Sequence, residues 1–150
     1  SIKNLKDLKN GDKIAVPNDA TQEARALRIF QSAGVLKIKK GVGQKATKKD
    51  ISYNPKHLKI YELDASQIPK QLNEVSAAAI NSNFALDNHI LLSSALVHEP
   101  LKNNAWPNNF VVRKGHKNDK VVKQIKKYYQ SKQIKQYILK KFKGAAVPQW

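Results

Sequence analysis

Three polar residues beside apolar segments carry the chemistry that this sequence suits best. Arg25 follows Pro17-Asn18-Asp19-Ala20-Thr21, a run of turn and N-cap residues, so it is expected in the first turn of a helix. A helix N-terminus favours anions through its unpaired N–H groups and its dipole. A guanidinium there adds forked donors that engage two oxygens at once, making a receptor for a carboxylate or a phosphate. The plainer alternative pairs Arg25 with Glu23, or with another acid, on a solvated face. Asn81 directly follows Ala77-Ala78-Ala79-Ile80, a small apolar segment that suits a buried strand. Asn108, in Trp106-Pro107-Asn108-Asn109, leads into Phe110-Val111-Val112, a second strand candidate. An amide at a strand end lies where α/β sheets place their ligand crevice, and it offers a donor and an acceptor without charge. Either Asn alone reads equally well as turn chemistry. Together with Arg25, the two amides suit the zwitterion of an amino acid.

Other chemistries find little support. Gly41-Val42-Gly43-Gln44-Lys45-Ala46 fits only the loose form of a dinucleotide fingerprint. Asn54-Pro55 stops any helix that would follow it, and a spacer hairpin is expected there instead. No P-loop, nucleophile elbow or paired-histidine metal motif occurs. His57, His89, His98 and His116 share no metal-ligand spacing, and the 11 acids are too scattered for a catalytic pair. There is no Cys, which excludes disulfides and thiolate sites within the sequence given. The expectation is a binding protein and not an enzyme, with no cofactor and no metal.

The elements that must position these residues alternate. Lys13-Ile14-Ala15-Val16 reads as a strand, with Ile14 and Val16 on one face. The spacing Ala26, Ile29, Phe30, Ala33 predicts a helix ending at Gly34, the expected C′ glycine. Val35 to Ile38 and Leu58 to Leu63 are strand candidates. Thr47-Lys48-Lys49-Asp50 resembles a capping box, and Ser66 to Asn73 predicts a short helix. Strand–helix alternation indicates an α/β layer architecture. From about residue 104 the pattern changes to one strand and two basic helices that split near Ser131.

The net charge is +17, from 28 Lys and Arg against 11 acids. It concentrates between Arg113 and Lys143, where twelve basic residues face one acid, Asp119. Clustered cations suggest nucleic-acid binding, because they release counterions from a phosphate backbone. Arg is scarce, however, with only Arg25, Arg28 and Arg113, whereas base readout and phosphate clamping favour Arg. Tyr128, Tyr129, Tyr137 and Phe142 fall at helical spacing with Val122, Ile125, Ile134 and Ile138, and are expected in a core rather than as stacking platforms. A surface facing anionic polymer or lipid explains the same Lys excess. No run of apolar residues reaches the length of about 18 that a membrane span needs.

The residues around these candidates resemble the MetQ/NlpA family, the substrate-binding lipoproteins of methionine-type ABC importers. The motifs are Ile14-Ala15-Val16-Pro17-Asn18-Asp19 with Arg25-Ala26-Leu27, then Ala33-Gly34, Asp50-Ile51 and Asn54-Pro55. Glu62-Leu63, Ile68-Pro69 with Leu72, Ala79-Ile80-Asn81 with Ala85, Glu99 and Gln130-Ser131 continue the match, which closes on Gly144-Ala145-Ala146-Val147 and Trp150. The resemblance implies a periplasmic-binding-protein-like α/β fold of type II, with a mixed sheet flanked by helices and ligand held between two lobes. On that pattern residues 1–9 cross into lobe two, 10–103 form it, and 104–150 return a strand and helices to lobe one.

Residue by residue, the resemblance makes Arg25 the carboxylate anchor and Asn81 and Asn108 hydrogen-bonding partners of the ligand's amino-acid moiety. Trp106 stands where the family has an aromatic lining the cleft. Gln22 and Ala24 depart from an Asn and a Gly that often precede the Arg, and Asn109 replaces an apolar residue. The implied ligand is methionine or a short methionine-containing peptide, and the implied partners are ABC permease and ATPase subunits. No nucleic acid is expected. The resemblance also implies that a lipid-anchored N-terminal segment, holding the protein on the outer face of the cytoplasmic membrane, lies outside this sequence. A chain without that segment is expected to expose apolar positions such as Val111, Ile125 and Ile138 and to self-associate through that patch. The reading from charge alone, a cationic surface or nucleic-acid-binding module, stands beside this one.

Overall fold

The computed structural model describes residues 2–99, 108–142 and 146–150, and the chain divides into two compact units, Ser1–Glu99 and Pro100–Trp150. In the first unit, the alternating segment becomes β1 (Lys13–Pro17), in which every residue after Lys13 is buried. Burial on both faces follows from its place at the centre of a parallel sheet. β4 (Lys59–Leu63) lies on one side, with Lys13 opposite Lys59 and Pro17 opposite Leu63. β5 (Ala77–Ala78) lies on the other, opposite Ile14 and Ala15. Parallel neighbours need crossover connections, which is the physical content of the strand–helix alternation in the sequence.

β1 leads directly into α1 (Ala20–Ser32). The helix buries Glu23, Ala24, Ala26, Leu27 and Phe30, so its inward stripe centres on Leu27 and Phe30 and leaves Ile29 half-buried. Gly34 has φ +76°, and the Val35 N–H donates to the Phe30 carbonyl at 3.2 Å while the Gly34 N–H donates to Gln31 at 2.9 Å. That is a Schellman stop, and only glycine takes this conformation without strain. Phe30, Val35 and Leu36 then join Leu5, Leu8, Ile14, Val16 and Leu58 in the core.

β2 (Lys37–Ile38) pairs antiparallel with β3 (Ile51–Tyr53), enclosing the expected spacer at Gly41-Val42-Gly43. Arg28 ties that spacer to α1 by donating to the Val42 and Gly43 carbonyls at 3.0 and 2.8 Å. The capping box is present: the Thr47 N–H donates to the Asp50 carboxylate at 2.9 Å around a 3-10 turn at Lys48–Asp50. The helix expected from Ser66 to Asn73 is shorter, a 3-10 turn over Ile68–Gln71. Pro69 near its start supplies no N–H, which suits one turn but contributes nothing to a longer ladder. α2 (Ser82–Asp87) follows β5 with Asn81 as its N-cap residue.

In the second unit, α3 (Lys120–Tyr129) and α4 (Lys132–Phe142) break at Ser131 as the periodicity predicts. Two expectations fail here. Phe110, Val111 and Val112 form no strand, and they are exposed, Val111 to 89%. Among the described residues they have no strand to pair with, and β-propensity alone does not make a strand. The aromatic positions expected in a core are also open: Tyr128, Tyr129 and Tyr137 are exposed and Phe142 is only half-buried. Among the described residues, these two helices of ten and eleven residues have no sheet of their own to cover this face. A small aromatic cluster is what packs, with Phe110 edge-on to Tyr129 at 4.8 Å between centroids and Tyr129 against Trp150 at 5.6 Å.

Candidate functional site

Parallel pairing of β1 and β5 sends both strands out of the sheet at the same end. α1 begins just past the end of β1, and Asn81 lies three residues beyond β5. The start of α1 and Asn81 therefore meet, although 59 residues separate Gln22 from Asn81. This is the carboxyl end of the sheet, where α/β folds place their ligand crevice.

Arg25 is the sixth residue of α1, in its second turn and not the first. The N-terminal N–H groups of the helix are engaged by the chain itself. The Asp19 carboxylate accepts from the Thr21 and Gln22 N–H groups at 3.1 and 3.0 Å. The expected receptor of guanidinium plus open helix terminus is thus corrected, because the cap at Asp19 occupies the terminus. The guanidinium acts through its own donors.

Those donors are organised around two partners. Nε and Nη2 donate to the two oxygens of Glu99 at 2.9 and 2.5 Å, a two-pronged grip on a carboxylate. Nη1 donates to Gln22 Oε1 at 3.0 Å. Side chains in a helix lean toward its N-terminus, which brings Arg25 over Gln22 one turn earlier. The Arg25 and Glu99 side chains are 25% and 21% exposed, so this pair is largely shielded from water rather than lying on a solvated face. The hydrogen bond to Glu99 holds the Arg25 pKa above its ordinary value, against the opposing effect of burial. The sequence alternative in which Arg25 pairs with an acid other than Glu23 is therefore met within the chain.

Gln22 Oε1 also accepts from Asn81 Nδ2 at 2.8 Å, so one oxygen joins Arg25 to Asn81. Asn81 Oδ1 is buried and has no hydrogen-bond partner among the described residues. Such an acceptor typically costs about 1–3 kcal/mol if it is left unpaired. The grouping has no net charge, since Arg25 and Glu99 balance and the two amides are neutral. A neutral cluster that combines a guanidinium with one buried acceptor suits a ligand that is itself a zwitterion.

Glu23 takes no part in this. It is 3% exposed and accepts the Lys48 N–H at 2.7 Å. Burial pushes its carboxyl above the ordinary glutamate value, neighbouring Glu62 adds to the rise, and the Lys48 N–H opposes it. The Lys48 ammonium pairs with Glu62 and lowers that carboxyl in turn.

Of the residues expected in a site, Arg25 and Asn81 are brought together through Gln22. Asn108 belongs to the second unit, where it is exposed. Trp106 lies outside the described residues. Gln22 and Glu99 are the members that sequence reasoning did not single out for a role in the site. Glu99 carries no local signal of its part, standing 74 residues from Arg25. Gln22 had one: an amide three residues before a helical Arg sits on the same face.

Comparison with known proteins adds a frame to this geometry. The model of the NlpA lipoprotein family matches residues 1–150. A D-methionine-binding lipoprotein MetQ of Salmonella typhimurium is 37% identical over 151 residues, covering 99% of this chain and 56% of that protein. A nutrient-binding protein of Burkholderia cenocepacia, solved bound to methionine, is 42% identical with a TM-score of 0.90, over 100% of this chain and 64% of that one. The substrate-binding protein of a methionine transporter of Streptococcus pneumoniae is 34% identical with a TM-score of 0.87, over 100% of this chain and 59% of that one. The chain spans a little over half the length of the curated relatives it matches.

Proposed function

This chain belongs to the NlpA lipoprotein family, and on that footing we propose that the whole protein is the extracytoplasmic substrate-binding component of an ABC importer. It is a binding protein rather than an enzyme, and it holds methionine or a short methionine-containing peptide. Arg25 anchors the ligand carboxylate and Asn81 meets the amino-acid moiety. Asn108 is a further hydrogen-bonding partner of the amino-acid moiety, and Trp106 an aromatic lining residue. The importer's permease and ATPase receive the ligand, and a lipid anchor outside this sequence keeps the protein at the outer face of the cytoplasmic membrane.

The observation that carries this reading is the link from Arg25 through Gln22 to Asn81, whose buried oxygen has no partner among the described residues. Glu99 occupies the Arg25 fork in the structure, so a ligand carboxylate engages Arg25 by displacing Glu99 from a guanidinium that Gln22 also orients. An acceptor beside it selects for an ammonium group on the same ligand. The relatives' named ligand, methionine, has both.

Calorimetry of the whole protein with methionine and methionyl dipeptides, beside a salt titration with DNA, tests the reading. Methionine binding at about micromolar Kd or tighter, little changed by salt, is the expected result. Salt-steep binding of DNA with no binding of methionine overturns it in favour of a module acting through the exposed Lys-rich α3 and α4.

A further inference from the structure

We propose that Gln22 is a positioning residue that fixes the donor–acceptor polarity of this site, turning Asn81 so that its carboxamide oxygen faces the ligand's ammonium group. The proposal rests on the amino-acid-binding reading above and assigns a role to a residue that reading leaves idle.

The polarity follows from which groups can only donate. A guanidinium has five N–H donors and no acceptor, so whatever atom of Gln22 lies 3.0 Å from Arg25 Nη1 must be the oxygen. That oxygen also lies 2.8 Å from the Asn81 carboxamide, and an oxygen facing it must meet a donor. The Asn81 atom is therefore Nδ2. Its other atom, Oδ1, is then an acceptor, and it is the buried one without a partner among the described residues. Turning either amide over sets donor against donor or oxygen against oxygen. The direction therefore runs from Glu99, which grips Arg25 by Nε and Nη2, through Gln22 to Asn81.

An asparagine by itself cannot discriminate an ammonium from a hydroxyl or a carboxylate, because either face of its amide is available. With Gln22 in place the choice is made before the ligand arrives. The Gln22 oxygen has two lone pairs, enough for both donors that it meets. Its backbone is fixed as well, since its N–H donates to the Asp19 cap at 3.0 Å. The site thereby favours an α-ammonium acid over the same acid without its amino group.

The test compares methionine with 4-(methylthio)butanoate, its analogue lacking only the amino group, in the whole protein by calorimetry. Gln22→Leu removes the oxygen. Gln22→Glu keeps acceptors for both Arg25 and Asn81. In Gln22→Leu both ligands lose what the loosened Arg25 costs them, and methionine loses about tenfold more than the analogue. Gln22→Glu keeps both acceptors and adds a negative charge, so it restores a preference for methionine at least as large as that of the wild type. A residue that merely supports the fold moves both affinities together and leaves their ratio unchanged. An unchanged ratio in Gln22→Leu, or no recovery in Gln22→Glu, overturns the positioning role while leaving the binding function in place. Wild-type protein that binds neither ligand overturns the function and this inference with it.

Discussion

Removing the Arg25 guanidinium is the most direct challenge to the site. In Arg25→Ala, the ligand carboxylate loses a charge-assisted partner at a place where the Arg25 and Glu99 side chains are only 25% and 21% exposed. Truncating one side of a shielded, hydrogen-bonded charge pair costs about 2–5 kcal/mol, which is roughly thirtyfold to several thousandfold in affinity. Two further effects push the same way. Glu99 loses its partner and sets a carboxylate beside the incoming one, and Gln22 loses the donor that orients it. Arg25→Lys separates charge from geometry. An ammonium keeps the positive charge but lacks the planar fork that spans both Glu99 oxygens and reaches Gln22, so an intermediate loss, roughly tenfold to a hundredfold, is expected. Calorimetry of whole wild-type and variant proteins at low and high salt reads these differences directly. The ordering Arg25→Ala weaker than Arg25→Lys weaker than wild type should persist at high salt, since shielded pairs are little screened. An Arg25→Ala protein that is folded and binds methionine within a factor of about two of wild type would refute the assignment. The fork would then serve Glu99 alone.

The remaining predictions concern the frame around that fork. Asp19→Ala removes the acceptor for the Thr21 and Gln22 N–H groups and should cost about 1 kcal/mol of stability in urea unfolding, whereas Asp19→Ser should retain most of it. Gly34→Ala forces a side chain into φ +76° with no neighbouring atom for its Cβ to meet, so the cost is backbone strain alone. A loss of about 1–2 kcal/mol is expected, with Gly34→Asn closer to wild type. Glu23 is buried and its pKa is raised, so its contribution to stability is present below the unfolded value and is lost as pH rises through the folded one. Thermal unfolding between acidic and neutral pH should therefore show a smaller decline in Glu23→Gln, which retains an oxygen for the Lys48 N–H, than in wild type.

What the sequence made legible follows from how local each signal is. The strand at Lys13–Pro17, the helix stop at Gly34 and the capping box at Thr47 and Asp50 are decided within a few residues, and each is present. Arg25 and Asn81 were legible as a pair because both stand just past strand candidates of an α/β pattern. Parallel strands that pair also share their exit end. The partners of Arg25 were not legible in the same way. Asp19 as cap follows from helix chemistry, yet its consequence, a helix terminus with the Thr21 and Gln22 N–H groups already engaged, depends on the helix starting at Ala20. That start shifts Arg25 into the second turn and lays it over Gln22. Glu99 belongs to the resemblance, but its pairing with Arg25 is settled only by the tertiary fold, since no local pattern links residues 74 positions apart.

The second unit shows the limit of periodicity most clearly. The spacing of Val122, Ile125 and Tyr129 specifies a helix with an apolar face, and α3 and α4 are there, broken at Ser131. Periodicity says which face is apolar; it does not say what covers it. Coverage requires a partner surface, and the second unit has no sheet of its own among the described residues. Val111, Ile125 and Tyr128 are exposed for that reason, although their types are those of a core. The same logic accounts for the failed strand at Phe110 to Val112. A strand is a relation between two segments, and β-branched residues in one segment supply only half of it. The curated relatives carry nearly as much chain again as the 150 residues of this sequence. Legibility thus declines from capped helix, to paired strands, to side-chain partners, to covered faces, in the order in which each depends on more distant chain.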